Sequence, residues 1–168
     1  MTSPFHLEAL ASSHDRLAFA SGEAQLDHYF QTQVTQDIRR RIANCFVAVE
    51  VVTLQVAAYY TIASASISIP DLPPDDARRL PRYPTMPAVR IGRLAVDRRY
   101  QGRGLGKALL ADAAMKAMIA APASFALLVD AKDERAANFY KHHGFRQLGS
   151  VPSLLFLPLA TAEKVLLG

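Results

Sequence analysis

A glycine-rich stretch between an apolar segment and a helix-forming segment constrains this chain more than any other feature. Gly102, Gly104 and Gly106 follow the apolar run that ends at Val96 and precede a helix-forming run from Lys107. Without Cβ atoms, glycines allow a tight loop whose successive N–H groups point the same way. A helix that starts there directs its positive N-terminal end at the same place. The pattern therefore predicts a cradle for a diphosphate group.

Two better-known glycine motifs do not fit this loop. A nucleotide P-loop needs a glycine five residues before its Gly-Lys and Ser or Thr after it, but Gln101 and Ala108 occupy those positions. The dinucleotide-binding fingerprint needs its third glycine at position 107, where Lys107 stands. The remaining pattern is Gln-x-x-Gly-x-Gly over residues 101–106. The alternative interpretation of this pattern is a glycine-rich turn between a strand and a helix that binds no ligand.

Size and composition predict one globular domain over residues 1–168. A chain of 168 residues with 51% hydrophobic and 20% charged residues can bury one substantial core. No apolar run approaches the ~20 residues of a membrane helix, and the N-terminus lacks the regions of a signal peptide. We therefore expect a cytoplasmic protein with no membrane contact. The single cysteine, Cys45, lies in a strand pattern, and we interpret it as a core thiol rather than a nucleophile.

Positive charge is concentrated in the middle of the chain. The net charge is +4, and residues 70–107 alone carry nine Lys or Arg against four Asp. Four of these cations flank the glycine loop, where they suit phosphate groups: Arg98, Arg99, Arg103 and Lys107. The other five are either solvated surface or the contact surface of an anionic partner such as nucleic acid: Arg78, Arg79, Arg82, Arg90 and Arg93.

Periodicity and turn residues predict mixed strands and helices. We expect strands near residues 5–9, 45–52, 55–62, 88–96 and 125–129 and within 153–158, and helices over 22–41, 104–120 and 133–142. The first helix carries one apolar stripe: Leu26, Tyr29, Phe30, Val34 and Ile38. Prolines break residues 70–87 into a loop with a short helical turn at 75–80. Asp133 is the predicted N-cap of the last helix, and Gly144 the left-handed residue after its end.

The glycine loop, placed after the strand Gly92–Val96, resembles the acetyl-coenzyme A loop of the GNAT-type N-acetyltransferases. Residues 136–145, Ala-Ala-Asn-Phe-Tyr-Lys-His-His-Gly-Phe, are similar to a second motif of that family. The resemblance implies the GNAT acyl-CoA N-acyltransferase fold, an α/β (α+β) architecture with a central mixed, mostly antiparallel sheet flanked by helices. It also implies an acetyltransferase that uses acetyl-CoA as co-substrate and no metal.

The resemblance implies a set of cofactor-binding residues in both motifs. They are Leu94, Ala95, Val96, Arg99, Gln101, Gly102, Arg103, Gly104, Leu105, Gly106, Asp133 and Phe139. Many family members have Asn where this chain has Asp133, so the capping role of Asp133 is better supported than a cofactor contact.

The resemblance also implies that Tyr140 is the general acid, because the family's tyrosine at this place lies beside the thioester sulfur. A phenol with a pKa near ~10 stays protonated at neutral pH and can donate its proton to a departing thiolate. The alternative is a core aromatic, which we expect for Phe139. No general base is obvious beside the loop. Glu50 is a candidate at a strand end, whereas His142 and His143 are expected at the surface.

The N-terminal segment narrows the resemblance to one group within the family. Residues 19–30, Phe-Ala-Ser-Gly-Glu-Ala-Gln-Leu-Asp-His-Tyr-Phe, look like a signature of GNAT toxins of bacterial toxin–antitoxin pairs, the TacT and AtaT type. Tyr59-Tyr60 and residues 90–97 are similar to that group as well. The resemblance implies acetylation of the α-amino group of aminoacyl-tRNA, which blocks translation, and a ribbon-helix-helix antitoxin as partner. It also implies a homodimer.

Elementary chemistry makes such a substrate reasonable. An α-amino group has a pKa of about 7.7 to 8.0, so a useful fraction is already the free nucleophile at neutral pH, whereas a lysine amine near ~10.4 is not. The central positive charge suits tRNA phosphates and disfavours cationic small amines. Two alternatives remain: an acetyltransferase for a protein N-terminus, lysine or small amine, and a non-catalytic module that binds acyl-CoA.

Overall fold

The computed structural model of the protein describes residues 3–168. The strands in that range are β1 (Phe5–Ala9), β2 (Asn44–Glu50), β3 (Val56–Ser68), β4 (Thr85–Val96), β5 (Ala126–Asp130), β6 (Arg146–Gln147) and β7 (Leu154–Pro158). The α-helices are α1 (Ala24–Thr32), α2 (Val34–Arg39), α3 (Pro74–Arg78), α4 (Leu105–Ile119), α5 (Glu134–His142) and α6 (Leu159–Leu166). Short 3₁₀ turns lie at Ile69–Asp71 and Arg98–Tyr100.

The strands form one seven-stranded sheet in the order β1-β2-β3-β4-β5-β7-β6. Strand β1 pairs antiparallel with β2, and β2 pairs antiparallel with β3, with a register shift between Ala48 and Val49. Strand β4 runs parallel to β5, while β7 is antiparallel to both β5 and β6. The mixed, mostly antiparallel sheet flanked by helices is therefore confirmed.

The helix expected over residues 22–41 is wrong as one element, because it is two helices. Gln33, at φ −119° and ψ −29°, is both the C-cap of α1 and the N-cap of α2, so one helix ends and the next begins there. The apolar stripe is nevertheless confirmed. Tyr29, Phe30 and Val34 are buried in one cluster, and Leu26 and Ile38 pack against it. The periodicity located the buried face correctly because a short interruption leaves the order of the faces unchanged.

Other differences concern element boundaries and two elements that the sequence analysis missed. Strand β4 starts at Thr85 and runs through Pro87, whose carbonyl accepts a hydrogen bond from Phe125 N at 2.8 Å. The short helix begins one residue earlier than expected and ends two residues earlier. Strand β6 has two residues, and pairing with β7 defines it rather than any local pattern. Helix α6 follows Pro158 directly in a run without glycine or proline, a signal that the sequence did contain.

The chain divides into two compact units, through both of which β3 and β4 run. The first comprises the chain up to Ala63 together with Gly92–Asp112. Its core is aromatic, and the rings of Phe30 and Tyr59 stack with centroids 4.3 Å apart. Cys45 lies in this core, as expected, and burial raises its pKa to about 12, so its thiol stays protonated.

The second unit comprises Ser64–Ile91 and Ala113–Gly168. Its core is formed by side chains from β3, β4, β5, β7 and the segments between them: Ile67, Leu72, Ala88, Ala126, Leu128, Leu148 and Phe156. Across residues 3–168, none of the helices has the length and apolar character needed to cross a bilayer.

Candidate active site

The glycine loop of the first unit has the open backbone that an anion cradle needs. Gly102 and Gly104 have φ of +80° and +78°, a region that residues with a Cβ rarely adopt. A Cβ built at either position would meet no atom within 4 Å, so the space above the loop is free for a ligand. Both conditions, the backbone geometry and the open space, were predicted from the glycine spacing.

Helix α4 begins at the end of this loop. Its first residue is Leu105, and Ala108 N donates to Gly104 O at 3.1 Å. The first turn contains no acidic side chain. The N–H groups of a first helical turn have no partner within the helix, so those of residues 105–107 are available to a bound anion.

The cations around the loop fall into two kinds. Arg98, Arg103 and Lys107 are exposed and form no ion pair with any residue between Ser3 and Gly168. Arg99 is different, because its Nε lies 2.9 Å from Asp97 Oδ1 and its Nη1 donates to Gln55 Oε1 at 2.9 Å. The charge of Arg99 is therefore largely neutralised within the protein. The other three cations pair with no carboxylate of residues 3–168, although the Arg103 guanidinium lies 5.5 Å from the centroid of the Tyr100 ring.

Gln101, the first residue of the Gln-x-x-Gly-x-Gly pattern, is also engaged within the protein. Its amide nitrogen donates to Ser21 O and to Val96 O, each at 3.0 Å. These bonds tie the start of the loop to the end of β4, where Leu94, Ala95 and Val96 were predicted to bind the cofactor. Asp97 N donates to Ala57 O at 2.8 Å, so the same strand end is also fixed to β3.

Tyr140 lies on α5 in the second unit. The residue is 6% exposed, and its ring forms edge contacts with the rings of Phe139 and Phe145, at centroid distances of 5.1 and 5.3 Å. The hydroxyl donates to no residue within the described chain. Since no fully buried side-chain polar atom there lacks a partner, this hydroxyl must reach the surface. Burial raises the pKa of Tyr140, so the phenol remains protonated throughout the physiological range.

The ends of α5 hold Tyr140 in place. The side chain of Asp133 accepts a hydrogen bond from Ala136 N at 2.8 Å, which confirms the predicted N-cap. Gly144, just past the helix, has φ +98°, as expected of the left-handed residue there. Phe139 is half-buried between Tyr140 and His143, and His142 is exposed.

Glu50 is held in a way that does not suit a general base. Its carboxylate accepts hydrogen bonds from Thr53 Oγ1 at 2.6 Å and from Tyr100 OH at 3.0 Å. These bonds, that of Thr53 above all, lower the pKa of Glu50. A carboxylate with a lowered pKa takes up protons poorly at neutral pH. Among residues 3–168, no group of three or more His, Cys, Asp and Glu side chains could hold a metal ion.

The five other central arginines have distinct settings. In the second unit, Arg79, Arg82 and Arg90 are exposed and make no ion pair with the described residues, whereas Arg78 pairs with Asp75. In the first unit, the Arg93 guanidinium lies 3.6 Å from the centroid of the Tyr29 ring. The three free arginines therefore remain the strongest candidates for a partner's phosphates.

Asp97 is the principal residue that the sequence analysis missed. Its side chain is 2% exposed and accepts hydrogen bonds from Ala20 N at 3.0 Å and Arg99 N at 2.9 Å, besides the Arg99 guanidinium. Although burial opposes ionisation, the bonds from Arg99 and Ala20 prevail and lower the pKa of Asp97. The only signal for this role in the sequence was the position of Asp97, as a single acidic residue between β4 and the glycine loop.

Comparison with known proteins shows which protein family the chain belongs to. Residues 42–147 match the model of the acetyltransferase (GNAT) domain, and the chain belongs to that family.

Two relatives are similar over almost the whole chain. A probable toxin TacT of Sinorhizobium fredii is 32% identical over 91% of this chain and 90% of its own length. A tRNA-acetylating toxin of Mycobacterium tuberculosis is 33% identical over 94% of this chain and 93% of its own.

Solved structures of the toxin AtaT share the fold. AtaT complexed with acetyl-methionyl-tRNAfMet matches with a TM-score of 0.85 and 30% identity, covering 95% of this chain and 98% of that one. A tyrosine-to-phenylalanine mutant of AtaT, bound to the C-terminus of the antitoxin AtaR and to acetyl-CoA, matches with a TM-score of 0.76 and 26% identity. That match covers 96% of this chain and 98% of the AtaT chain.

Proposed function

We propose that this protein is a toxin that transfers the acetyl group of acetyl-CoA to the α-amino group of an aminoacyl-tRNA and so blocks translation. The observation that carries the chemistry is Tyr140, whose ring is buried and whose hydroxyl has no partner within the described protein. The substrate is supported by the relatives, because one is a tRNA-acetylating toxin and AtaT was solved with acetyl-methionyl-tRNA.

The glycine loop fits the diphosphate of acetyl-CoA. The open backbone at Gly102 and Gly104 would supply N–H donors, and the first turn of α4 would add its own. Arg98, Arg103 and Lys107 would neutralise the phosphate charges. Leu94, Ala95 and Val96 would line the path of the acyl-bearing arm along the end of β4, with Leu105 and Gly106 at the start of α4. On α5, Asp133 and Phe139 would complete the contacts.

Tyr140 would act as the general acid. The free amine attacks the thioester carbon, the C–N bond forms and the C–S bond breaks, and the amine loses its extra proton to water. The Tyr140 hydroxyl gives its proton to the departing thiolate and recovers one from solvent. Because burial raises the pKa of Tyr140, the phenol carries its proton at neutral pH, which the role of proton donor requires. An α-amino group with a pKa near ~8 needs no strong base. The mechanism therefore does not require Glu50, whose carboxylate already accepts hydrogen bonds from Thr53 and Tyr100.

Tyr140→Phe tests the chemistry. It should lower kcat for acetylation of aminoacyl-tRNA by about 10²- to 10⁴-fold, because the proton donor is lost while the ring remains. The Kd for acetyl-CoA, measured by calorimetry, should stay unchanged. Tyr83→Phe is the matched control, since Tyr83 is 63% exposed in the same unit. Equal activity of the Tyr140→Phe variant and the wild type would contradict the role.

The exposed arginines test the substrate class. Arg79→Glu, Arg82→Glu and Arg90→Glu should each weaken binding of aminoacyl-tRNA and flatten its salt dependence by roughly 0.9 in log–log slope per lost phosphate contact. Binding of acetyl-CoA should not change. Arg40→Glu is the control, because Arg40 is exposed in the other unit. If no variant affected tRNA while a peptide or lysine substrate was acetylated, the alternative acetyltransferase would replace the toxin.

The biological setting forms part of the same proposal. We expect a homodimer in the cytoplasm, controlled by an antitoxin of the ribbon-helix-helix type. The complex of AtaT with the antitoxin AtaR supports the existence of such a partner. Expression of the gene should arrest growth, and a co-expressed antitoxin should relieve the arrest. Continued growth on expression of active protein would contradict the toxin.

A further inference from the structure

The N-terminal strap, defined here as residues 19–23, lies against the glycine loop although about 80 residues separate the two in the sequence. Phe19 is buried in the aromatic core of the first unit and fixes one end of the strap. The next three residues each contact the segment from Asp97 to Gln101. The strap belongs to the toxin-like signature over residues 19–30, and none of its residues has a role in the proposed acetyl transfer.

The first contact is made by Ala20. Its N–H donates to Asp97 Oδ2 at 3.0 Å, and its carbonyl accepts from Arg98 N at 2.9 Å. Asp97 also accepts from the Arg99 backbone and guanidinium, so one buried carboxylate joins the strap to the residues that begin the loop. Four donors meet this carboxylate, which leaves little freedom for the turn at Arg98–Tyr100.

The second contact joins Ser21 and Gln101. The Gln101 amide donates to Ser21 O at 3.0 Å and therefore connects the loop to the strap as well as to β4. Ser21 is itself fixed, because its N–H and its hydroxyl both donate to Asp27 Oδ1, at 2.9 and 2.6 Å. Asp27 lies on α1, so α1 and the glycine loop are held by one chain of hydrogen bonds.

The third contact involves Gly22. Its φ is +97°, and a Cβ there would come within 3.0 Å of Arg98 Nε and 3.2 Å of Arg98 Nη2. The glycine therefore lets the guanidinium of Arg98 lie against the strap. Arg98 forms no ion pair within residues 3–168, so the strap positions a free cation beside the anion cradle.

We propose that the N-terminal strap preorganises the glycine loop for the diphosphate of acetyl-CoA, with Asp97 and Gln101 as positioning residues that do not touch the ligand. This assignment also changes the role of Arg99, whose guanidinium completes the Asp97 cluster. The identity of the ligand, acetyl-CoA, rests on the proposed function. If the loop has its binding-competent conformation for only a fraction of the time, the apparent Kd equals the intrinsic Kd divided by that fraction. Loss of the strap contacts therefore weakens binding without removal of any ligand contact.

Calorimetric binding of acetyl-CoA, together with hydrogen exchange of the protein without ligand, tests this positioning role. Gln101→Met keeps the length of the side chain but removes both donors. We expect its Kd to rise about tenfold, which corresponds to a loop that is competent for about a tenth of the time. Amides of residues 98–106 and of residues 20–22 should exchange faster together. Asp97→Asn should give the same pattern, and the melting temperature of each variant shows whether it folds.

Asp76→Asn is the matched control for Asp97→Asn. It removes a carboxylate that accepts two bonds from the Arg146 guanidinium in the second unit, and it should leave the Kd for acetyl-CoA unchanged. Weaker binding by Gln101→Met with unchanged exchange at the loop would assign Gln101 to direct ligand contact and overturn the proposal. Unchanged binding by both Gln101→Met and Asp97→Asn would also overturn it. A wild-type protein that failed to bind acetyl-CoA would instead overturn the proposed function.

Discussion

Replacement of Gly104 by alanine should have two separate effects, one on the stability of the protein and one on its binding of acetyl-CoA. At φ +78° an added Cβ strains the backbone, at a cost of about 1–2 kcal/mol. About 0.4–1 kcal/mol of this is returned because alanine restricts the unfolded chain. The net loss of roughly 1 kcal/mol should lower the melting temperature by about 2–4 °C for a protein of this size.

The effect on binding should be larger than the effect on stability. The new methyl group meets no protein atom within 4 Å, so it enters the space proposed for the diphosphate. Loss of one charge-assisted hydrogen bond to a phosphate costs about 1.5–3 kcal/mol. Calorimetry should therefore find a Kd for acetyl-CoA raised roughly ten- to hundredfold.

Gly149→Ala is the matched control for this substitution. Gly149 also has a positive φ, +66°, and a Cβ there would lie 3.6 Å from Asp71 Cβ, an ordinary contact. Its variant should lose similar stability but bind acetyl-CoA as the wild type does. If Gly104→Ala bound acetyl-CoA as tightly as Gly149→Ala, the loop would not be the diphosphate cradle.

Three further predictions concern protonation and stability. The rate of tRNA acetylation should rise through the ~8 pKa of the α-amino group to a plateau above about pH 9 and show no descending limb before pH 10, because burial raises the pKa of Tyr140; a fall between about pH 9 and 10 would contradict this. Cys45 should resist thiol reagents in the native protein and react only after unfolding; rapid labelling at pH 8 would refute its burial. Asp76→Asn should destabilise the protein by about 1 kcal/mol. The expected loss is this small because the Arg146 side chain is half exposed and solvent screens the ion pair. Arg146 lowers the pKa of Asp76, so urea titrations should show this difference in full above pH 5 and lose it as the pH falls below about 4.

Local patterns predicted the features that depend on a few neighbouring residues. The glycine loop, the N-cap at Asp133 and the left-handed Gly144 are each set by backbone geometry over one turn. The buried stripe of α1 and α2 was predicted from periodicity, although the break at Gln33 was not, because no proline or glycine marks it. The family motifs around the loop and Tyr140 are equally local, and they led to the correct fold.

The sequence by itself determined that a glycine loop lies between a strand and a helix and that cations surround it. Only the tertiary structure decided which of these cations are free. Arg98 and Arg99 are adjacent and identical in kind, yet Arg99 is paired with Asp97 while Arg98 lies unpaired against Gly22. The N-terminal strap lies against this segment and contacts Asp97 and Gln101 across 77 and 80 residues of sequence. Hydrogen bonds between such distant segments leave no periodicity or spacing in a sequence, because they exist only once the aromatic core has brought the segments together.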